Sequence, residues 1–118
     1  MRVAALALCL VLNACGDRDS VPSPLGGEVE SGRLLLRQFG CGSCHAIPGV
    51  AAANGRVGPP LDGVASRAYL AGVLPNTPEN MATFIRAPKA VDPLTVMPDL
   101  GVTETHVRHM VAYLYTLR

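Results

Sequence analysis

Two cysteines and a histidine in the run CGSCH, residues 41–45, are the side chains of this sequence best placed to do chemistry. Each thiol can add across one vinyl group of a haem to form a thioether, and the imidazole that follows can bind the iron from one side. The spacing lets both sulfur atoms meet the edge of one macrocycle while His45 lies under its centre. The run therefore predicts one covalent haem c, attached through Cys41 and Cys44, with His45 as a ligand of the iron.

Three other roles compete with haem attachment for these thiols. A thioredoxin-like dithiol would need alternating strands and helices, whereas the flanking sequence shows Gly, Pro and short helical patterns. A zinc site could combine Cys41 and Cys44 with His106 and His109, but these histidines are spaced more tightly than usual and His45 would have no role. A disulfide between the two thiols is the least favoured.

A haem iron held by His45 needs a second axial ligand, or else it keeps an open coordination site. The candidates are Met1, Met81, Met97, Met110, His106 and His109. Met97 is favoured because it lies in an irregular run framed by prolines, residues 91–98, that can turn a thioether inward and hold it rigidly. A sulfur ligand favours ferrous iron and raises the reduction potential. Met81 and Met110 fall on helix faces, where a place in the core is expected.

The start of the chain predicts export and a lipid anchor. Arg2 precedes an apolar run that is typical of a secretory signal peptide and too short to span a bilayer. The run LNAC, residues 12–15, is similar to a bacterial lipoprotein cleavage site. Residues 1–14 are therefore predicted to be the signal peptide, and Cys15 the lipidated first residue of the mature chain. The alternative is an ordinary signal peptide that leaves Cys15 as an unmodified thiol.

Two further segments follow the predicted lipid site. Residues 15–30 are rich in Pro, Gly, Ser and Asp, which predicts a flexible linker. Residues 31–118 form one small domain with only 2 Phe and no Trp in the whole chain, so a buried haem would complete its core and the apo-protein should fold poorly. Removing the signal peptide takes Arg2 from 10 basic residues against 9 acidic ones, which leaves the mature chain formally neutral. The sequence has no basic stripe of the kind that would indicate nucleic acid as a partner.

Three helices are predicted to position the haem ligands. The first follows Ser31 and covers residues 32–38. The second opens at residues 77–79 with a capping Thr, a Pro and a Glu, and must stop before Pro88. The third opens at residues 103–104 and carries an apolar stripe formed by Val107, Met110, Val111, Leu114 and Leu117. A shorter helix is expected around residues 66–71, and no sheet is predicted.

These motifs together resemble the class I cytochrome c family across nearly all of residues 31–118. The resemblance is carried by CGSCH at 41–45, GPPL at 58–61, FIRAP at 84–88, Met97-Pro98 and AYL at 112–114. It implies an all-α class and a small cytochrome c fold, with three main helices, short helices and loops wrapped around one haem.

The resemblance also implies roles for the residues around the haem. The Pro59 carbonyl would accept a hydrogen bond from the His45 nitrogen that faces away from the iron, which fixes the ring. Leu61 would pack on the haem, and Arg67 and Thr95 would lie near a propionate. The alternatives are a core role for Leu61, a solvated surface role for Arg67 and a locally satisfied hydroxyl for Thr95.

Further expectations concern the contact between the first and last helices and the two histidines of the last helix. The resemblance implies that Gly32 lets the first helix cross closely over the last, near Tyr113. His106 and His109 are expected to be exposed on the last helix.

A closer resemblance points to a particular kind of relative. The runs CHAIPG at 44–49, RVGP at 56–59 and GVLPNTPEN at 72–80 are similar to the cytochrome c domain fused to subunit II of some haem–copper oxidases. The dicopper domain and transmembrane helices of those subunits have no counterpart here. The sequence is therefore interpreted as a free-standing lipoprotein.

The resemblance implies a function in electron transport rather than an enzyme. The expected protein is a membrane-tethered, monomeric single-electron carrier on the periplasmic face of a bacterial membrane. It would feed a terminal oxidase or link a dehydrogenase to the respiratory chain. An apolar docking rim is expected from Ala46, Ile47, Val50, Ala51 and Ala52. The alternatives are a haem enzyme or gas or peroxide sensor with a dissociable Met97, and a subunit that carries electrons only inside a fixed complex.

Overall fold

The computed structural model describes residues 23–118, and the predictions made for residues 1–22 lie outside the described residues. Within that part the chain is mostly helical, which confirms the predicted all-α class. Its elements are α1 (Val29–Gln38), α2 (Pro78–Arg86), α3 (Pro88–Val91) and α4 (Glu104–Leu114), with a hairpin of β1 (Tyr69–Leu70) and β2 (Leu74–Pro75). Single 3-10 turns cover Pro24–Gly26, Cys41–Ser43 and Val64–Ser66. No helix within residues 23–118 combines the length and the apolar character needed to cross a membrane.

The crossing of α1 over α4 forms the centre of the domain. Gly32 is buried where the two backbones meet, and a Cβ at this position would collide with the His109 carbonyl and come within 3.0 Å of the Tyr113 Cβ. The predicted close crossing is present. The apolar stripe of α4 lies beneath it, with Val107, Met110 and Val111 fully buried.

The ends of α2 and α4 follow from local side-chain chemistry, as the sequence predicts. The Thr77 hydroxyl accepts a hydrogen bond from the Asn80 N–H at 3.1 Å, and the Thr103 hydroxyl accepts one from the His106 N–H at 3.2 Å. Each bond satisfies an N–H group that has no partner within its own helix. The start of α2 is thereby fixed, and with it the side of the helix that faces the cavity described below.

The predicted start of α1 is wrong, because the helix begins at Val29 rather than after Ser31. The Ser31 hydroxyl donates to the Glu28 carboxylate at 3.1 Å, so it serves a first-turn contact instead of a cap. Part of the predicted linker also belongs to the fold. Gly27 is buried against the backbone of Arg108, and the Glu28 N–H donates to His109 Nδ1 at 2.9 Å.

The predicted short helix over residues 66–71 is also wrong. The 3-10 turn ends at Ser66, and Leu70 pairs with Leu74 in the antiparallel hairpin. Ala71 and Gly72 have φ values of 50° and 72°, so the chain turns back where a helix would continue. The expectation of no sheet misses this hairpin, whose two strands are too short to show a clear alternation.

Candidate haem-binding site

A cavity of about 450 Å³ opens beside α2 and α4. Its volume lies within the range of about 300–1,000 Å³ that is usual for cofactor sites. The two predicted thioether residues, the predicted histidine ligand and the predicted methionine ligand all line it. Most of the remaining wall is apolar and includes Leu36, Phe39, Leu61, Val64, Leu70, Met81, Phe84, Ile85 and Leu114.

The two thiols and the histidine come from one short turn. Gly40 enters the turn with a φ of 72°, a conformation that glycine adopts without strain. The N–H groups of Cys44 and His45 both donate to the Cys41 carbonyl, at 3.2 and 3.0 Å. Burial raises the pKa of the Cys41 thiol, so this group stays protonated near neutral pH. A thiol in this state carries the S–H bond that addition across a vinyl group consumes.

The imidazole of His45 is held by two neighbouring residues of the GPPL run. Its Nδ1 lies 2.7 Å from the Pro59 carbonyl oxygen, which can only accept, so Nδ1 carries a proton and, in the neutral ring, Nε2 is the nitrogen with the lone pair. Gly58 lies against the ring, because a Cβ there would collide with Cε1 and stand 2.7 Å from Nδ1. The Gly58 N–H donates to the Cys44 carbonyl at 2.8 Å, which ties the run to the CGSCH turn. The lone pair of Nε2 is the electron pair that a metal ligand needs.

Met97 lies in the irregular segment that follows α3, where it is half-buried and lines the cavity. Its N–H donates to the Thr95 hydroxyl at 3.2 Å. The Asp92 carboxylate accepts from the Leu94 N–H at 3.0 Å, and the Asp92 carbonyl accepts from the Thr95 N–H at 3.1 Å. These bonds fold the segment into a tight local structure that carries the thioether.

The other two methionines of the described chain are buried, as expected. Met110 has no exposed surface, whereas Met81 is 3% exposed and also contributes to the cavity wall. Sequence periodicity predicts the burial of Met81 but gives no sign that this residue lines the cavity.

Arg67, Thr95 and Leu61 all line the cavity. The Arg67 guanidinium donates through Nη2 to the carbonyls of Pro60, at 2.5 Å, and Asp62, at 3.1 Å. The Thr95 hydroxyl oxygen accepts the Met97 N–H, which leaves its own O–H to donate elsewhere. The contacts to propionates that the resemblance implies remain predictions.

The expectation that His106 and His109 are exposed is wrong. Both are half-buried, since His109 Nδ1 accepts the Glu28 N–H and the His106 ring packs edge-on against Phe39 at 5.5 Å. His106 Nδ1 is buried without a hydrogen-bond partner among the described residues. Within residues 23–118 no group of three or more His, Cys, Asp or Glu side chains is gathered, so the zinc arrangement is not assembled.

The predicted docking rim is wrong for two of its five residues, whereas Ala51 and Ala52 are exposed. Ile47 and Val50 are only 3% and 7% exposed and belong to the core. The Tyr113 hydroxyl donates to the Pro48 carbonyl at 2.6 Å and holds this loop against α4. The exposed apolar side chains at the cavity are instead Val57, Tyr69, Val96 and Leu100.

Comparisons with known proteins agree with this architecture. No family model matches the chain. The chain is 30% identical over 99 residues to cytochrome c oxidase subunit 2 of Alkalihalophilus pseudofirmus, a match that covers 83% of the chain and 28% of that protein. The chain thus spans little more than a quarter of the length of this relative.

The fold is similar to that of cytochrome c2 from Rhodobacter sphaeroides. The TM-score is 0.53 at 20% sequence identity, over 77% of this chain and 96% of the other. The fold is that of a small cytochrome c, and the sequence match supports a class I c-type cytochrome.

Proposed function

We propose that this cytochrome is a membrane-tethered single-electron carrier with one covalent haem c, held by His45 and Met97 as axial ligands. One observation supports the proposal most directly. The CGSCH turn and Met97, which are separated by most of the domain sequence, line the same cavity. The relatives of the chain, a cytochrome c oxidase subunit and a cytochrome c2, support haem c as the group that this cavity takes.

The residues at the cavity suit this group. Cys41 and Cys44 would hold it through thioethers, while His45 and Met97 would bind the iron. When bound, the haem supplies reversible one-electron chemistry between ferric and ferrous iron. The Pro59 carbonyl keeps the His45 ring in one tautomer, and the Thr95 hydroxyl keeps the Met97 backbone in one conformation. With His45 and Met97 both bound, the iron would be closed to substrates, which suits a carrier rather than an enzyme.

A respiratory oxidase is the proposed electron acceptor, with a dehydrogenase as the proposed donor. The basis is the relative named cytochrome c oxidase subunit 2. A monomeric carrier of near-neutral charge would dock through the exposed apolar side chains at the cavity, so its turnover should depend weakly on salt. The measurement is the rate of oxidation by membranes over a series of salt concentrations. A steep fall with rising salt contradicts apolar docking.

The proposed location is the periplasmic face of a bacterial membrane, with the lipid on Cys15. Residues 23–30 of the predicted linker belong to the described fold, with a 3-10 turn at Pro24–Gly26 and the start of α1 at Val29. The test is Cys15→Ser, carried by a signal peptide that is cleaved without lipidation. We expect the variant in the soluble periplasmic fraction and the wild type in membranes. A variant that stays in membranes contradicts the lipid anchor.

The visible absorption spectrum of the purified holoprotein tests the ligand set. A low-spin ferric spectrum with the weak far-red methionine–iron band is expected. A high-spin ferric spectrum that changes at once on addition of cyanide contradicts the carrier and supports an enzyme or sensor with an open iron.

A further inference from the structure

Asn76 occupies the junction between β2 and α2, and its side-chain amide and backbone N–H are all hydrogen-bonded. Its side-chain Nδ2 donates to two backbone carbonyls, those of Val64 and Arg67, both at 2.8 Å. Its Oδ1 accepts the Tyr115 hydroxyl at 3.0 Å, and its backbone N–H donates to the Ala68 carbonyl at 3.0 Å. Because two donors face carbonyls and one acceptor faces a hydroxyl, only one orientation of the amide fits.

The two carbonyls that Asn76 binds flank the Val64–Ser66 turn, which forms part of the cavity wall. Val64 and Arg67 both line the cavity. The Ala65 N–H donates to the Leu117 carbonyl at 3.0 Å, so the chain end beyond α4 holds the same turn from its other side. Asn76 therefore fixes where the backbone of Arg67 lies.

The side chain of Arg67 connects this turn to an earlier segment of the chain. Its guanidinium donates to the carbonyls of Pro60 and Asp62, which belong to the segment directly after Pro59. The Pro59 carbonyl in turn accepts the proton on His45 Nδ1 at 2.7 Å. Hydrogen bonds, joined by the short backbone segment from Pro59 to Asp62, thus link Asn76 to the ring of the proposed iron ligand.

We propose that Asn76 is a positioning residue for His45, acting through Arg67 and the Pro59–Asp62 segment. It holds the turn that carries Arg67, and Arg67 holds the segment whose first carbonyl orients the imidazole. The inference rests on the proposed role of His45 as an axial ligand.

Tyr115 supports the same arrangement from the end of α4. Burial raises the pKa of its hydroxyl, with a smaller contribution from the Glu79 charge. The hydroxyl therefore stays protonated at physiological pH and remains a donor to Asn76 Oδ1. This contact keeps the amide turned so that its two N–H groups face the turn.

The experiment compares Asn76→Ala with wild type in the holoprotein by redox titration and by NMR exchange of the His45 Nδ1–H. A looser Pro59 contact makes the imidazole a poorer electron donor to ferric iron. We therefore expect an upward shift of the midpoint potential and faster exchange of that proton. Asn76→Asp, which keeps the acceptor but loses both donors, should show the same faster exchange, while its added negative charge opposes the rise in potential. Tyr115→Phe should give a smaller upward shift.

Asn80→Ala is the matched control, because Asn80 Nδ2 donates to the Pro75 carbonyl at 2.9 Å without contacting the turn. It should leave the potential and the exchange rate unchanged. If Asn76→Ala also leaves both unchanged while lowering the melting temperature, Asn76 is merely structural and the inference is overturned. If Asn76→Ala does not fold, an unchanged exchange rate in Tyr115→Phe overturns it. A wild type without a low-spin spectrum overturns the proposed function and this inference together.

Discussion

Two methionine side chains reach the same cavity, and the local structure around each one separates their roles. Met81 is part of α2 and is almost fully buried among apolar side chains. Met97 lies in an irregular segment, is half-buried, and has its backbone fixed by the Thr95 hydroxyl. Both methionines have a fixed backbone, but Met81 is packed in the core whereas Met97 is half-buried, which favours Met97 as the ligand.

Replacing Met97 with Ala should remove the sulfur ligand of the iron. We expect loss of the weak far-red band and a lower midpoint potential, because sulfur ligation favours the ferrous state. The measurements are the ferric absorption spectrum and a redox titration. Met81→Leu is the control, since it keeps the apolar volume and should retain the band. Loss of the band in Met81→Leu with retention in Met97→Ala would show that Met81, and not Met97, is the ligand.

The His45 ring packs against Gly58, which has no Cβ, so Gly58→Ala should displace the ring. A Cβ at this position would stand 2.7 Å from Nδ1 and 2.9 Å from Nε2. We expect a mixed-spin ferric spectrum and a loss of stability of about 1–3 kcal/mol from overpacking. Absorption spectroscopy and denaturant unfolding measure the two effects.

Gly63→Ala is the control for Gly58→Ala, because it adds backbone strain without a steric contact to the His45 ring. Gly63 has a φ of 63°, and no neighbouring atom lies within 4 Å of the place that a Cβ would take, so its substitution adds strain alone. The cost should be about 1 kcal/mol with an unchanged low-spin spectrum. A Gly58→Ala spectrum identical to that of Gly63→Ala would mean that His45 tolerates the added methyl group.

At the scale of elements, the parts of the fold that local chemistry determines could be predicted from the sequence. The caps at Thr77 and Thr103 each act within one turn, so their sequences define where α2 and α4 begin. The start of α1 could not be predicted in this way, because Glu28 caps no N–H with its side chain. Its position depends instead on the contact of Gly27 and Glu28 with α4, which is distant in sequence.

The candidate site also has features that could be predicted from the sequence and others that could not. Cys41, Cys44 and His45 are adjacent in sequence, so their convergence could be predicted from one motif. The burial of Ile47 and Val50 could not, because it depends on the hydrogen bond from Tyr113 on α4 to the Pro48 carbonyl. The role of Asn76 could not be predicted for the same reason, since its side-chain partners come from two segments distant from each other in sequence.

The crossing of α1 and α4 predicts an unusual sign for a helical substitution. Gly→Ala within a helix normally stabilises by about 1 kcal/mol. At Gly32 the added methyl group would meet the His109 carbonyl, so we expect a net destabilisation of about 2 kcal/mol instead. Denaturant unfolding of the holoprotein measures the change. Gln38→Ala, at the exposed end of α1, should change the stability by less than about 0.5 kcal/mol. Stabilisation by Gly32→Ala would show that the helices separate without cost.

At the scale of the whole molecule, the cavity occupies a large part of a small domain. Core residues such as Leu36, Met81 and Leu114 contribute to its wall, so the hydrophobic core and the cofactor site are one structure. The group that fills the cavity therefore contributes to folding as well as to electron transfer. A domain of this size has few other apolar contacts with which to replace it.

Preventing haem attachment should consequently prevent stable folding. Without haem the apolar wall of this open cavity would face water, and a small domain has a total stability of only about 5–15 kcal/mol with which to offset that exposure. We expect the double variant Cys41→Ser, Cys44→Ser, prepared without haem, to show weak helical circular dichroism and no cooperative thermal transition. Cys15→Ser, which keeps both thioether residues, is the control and should unfold cooperatively as a holoprotein. Native-like helicity with a sharp transition in the haem-free double variant would show that the polypeptide alone specifies the fold.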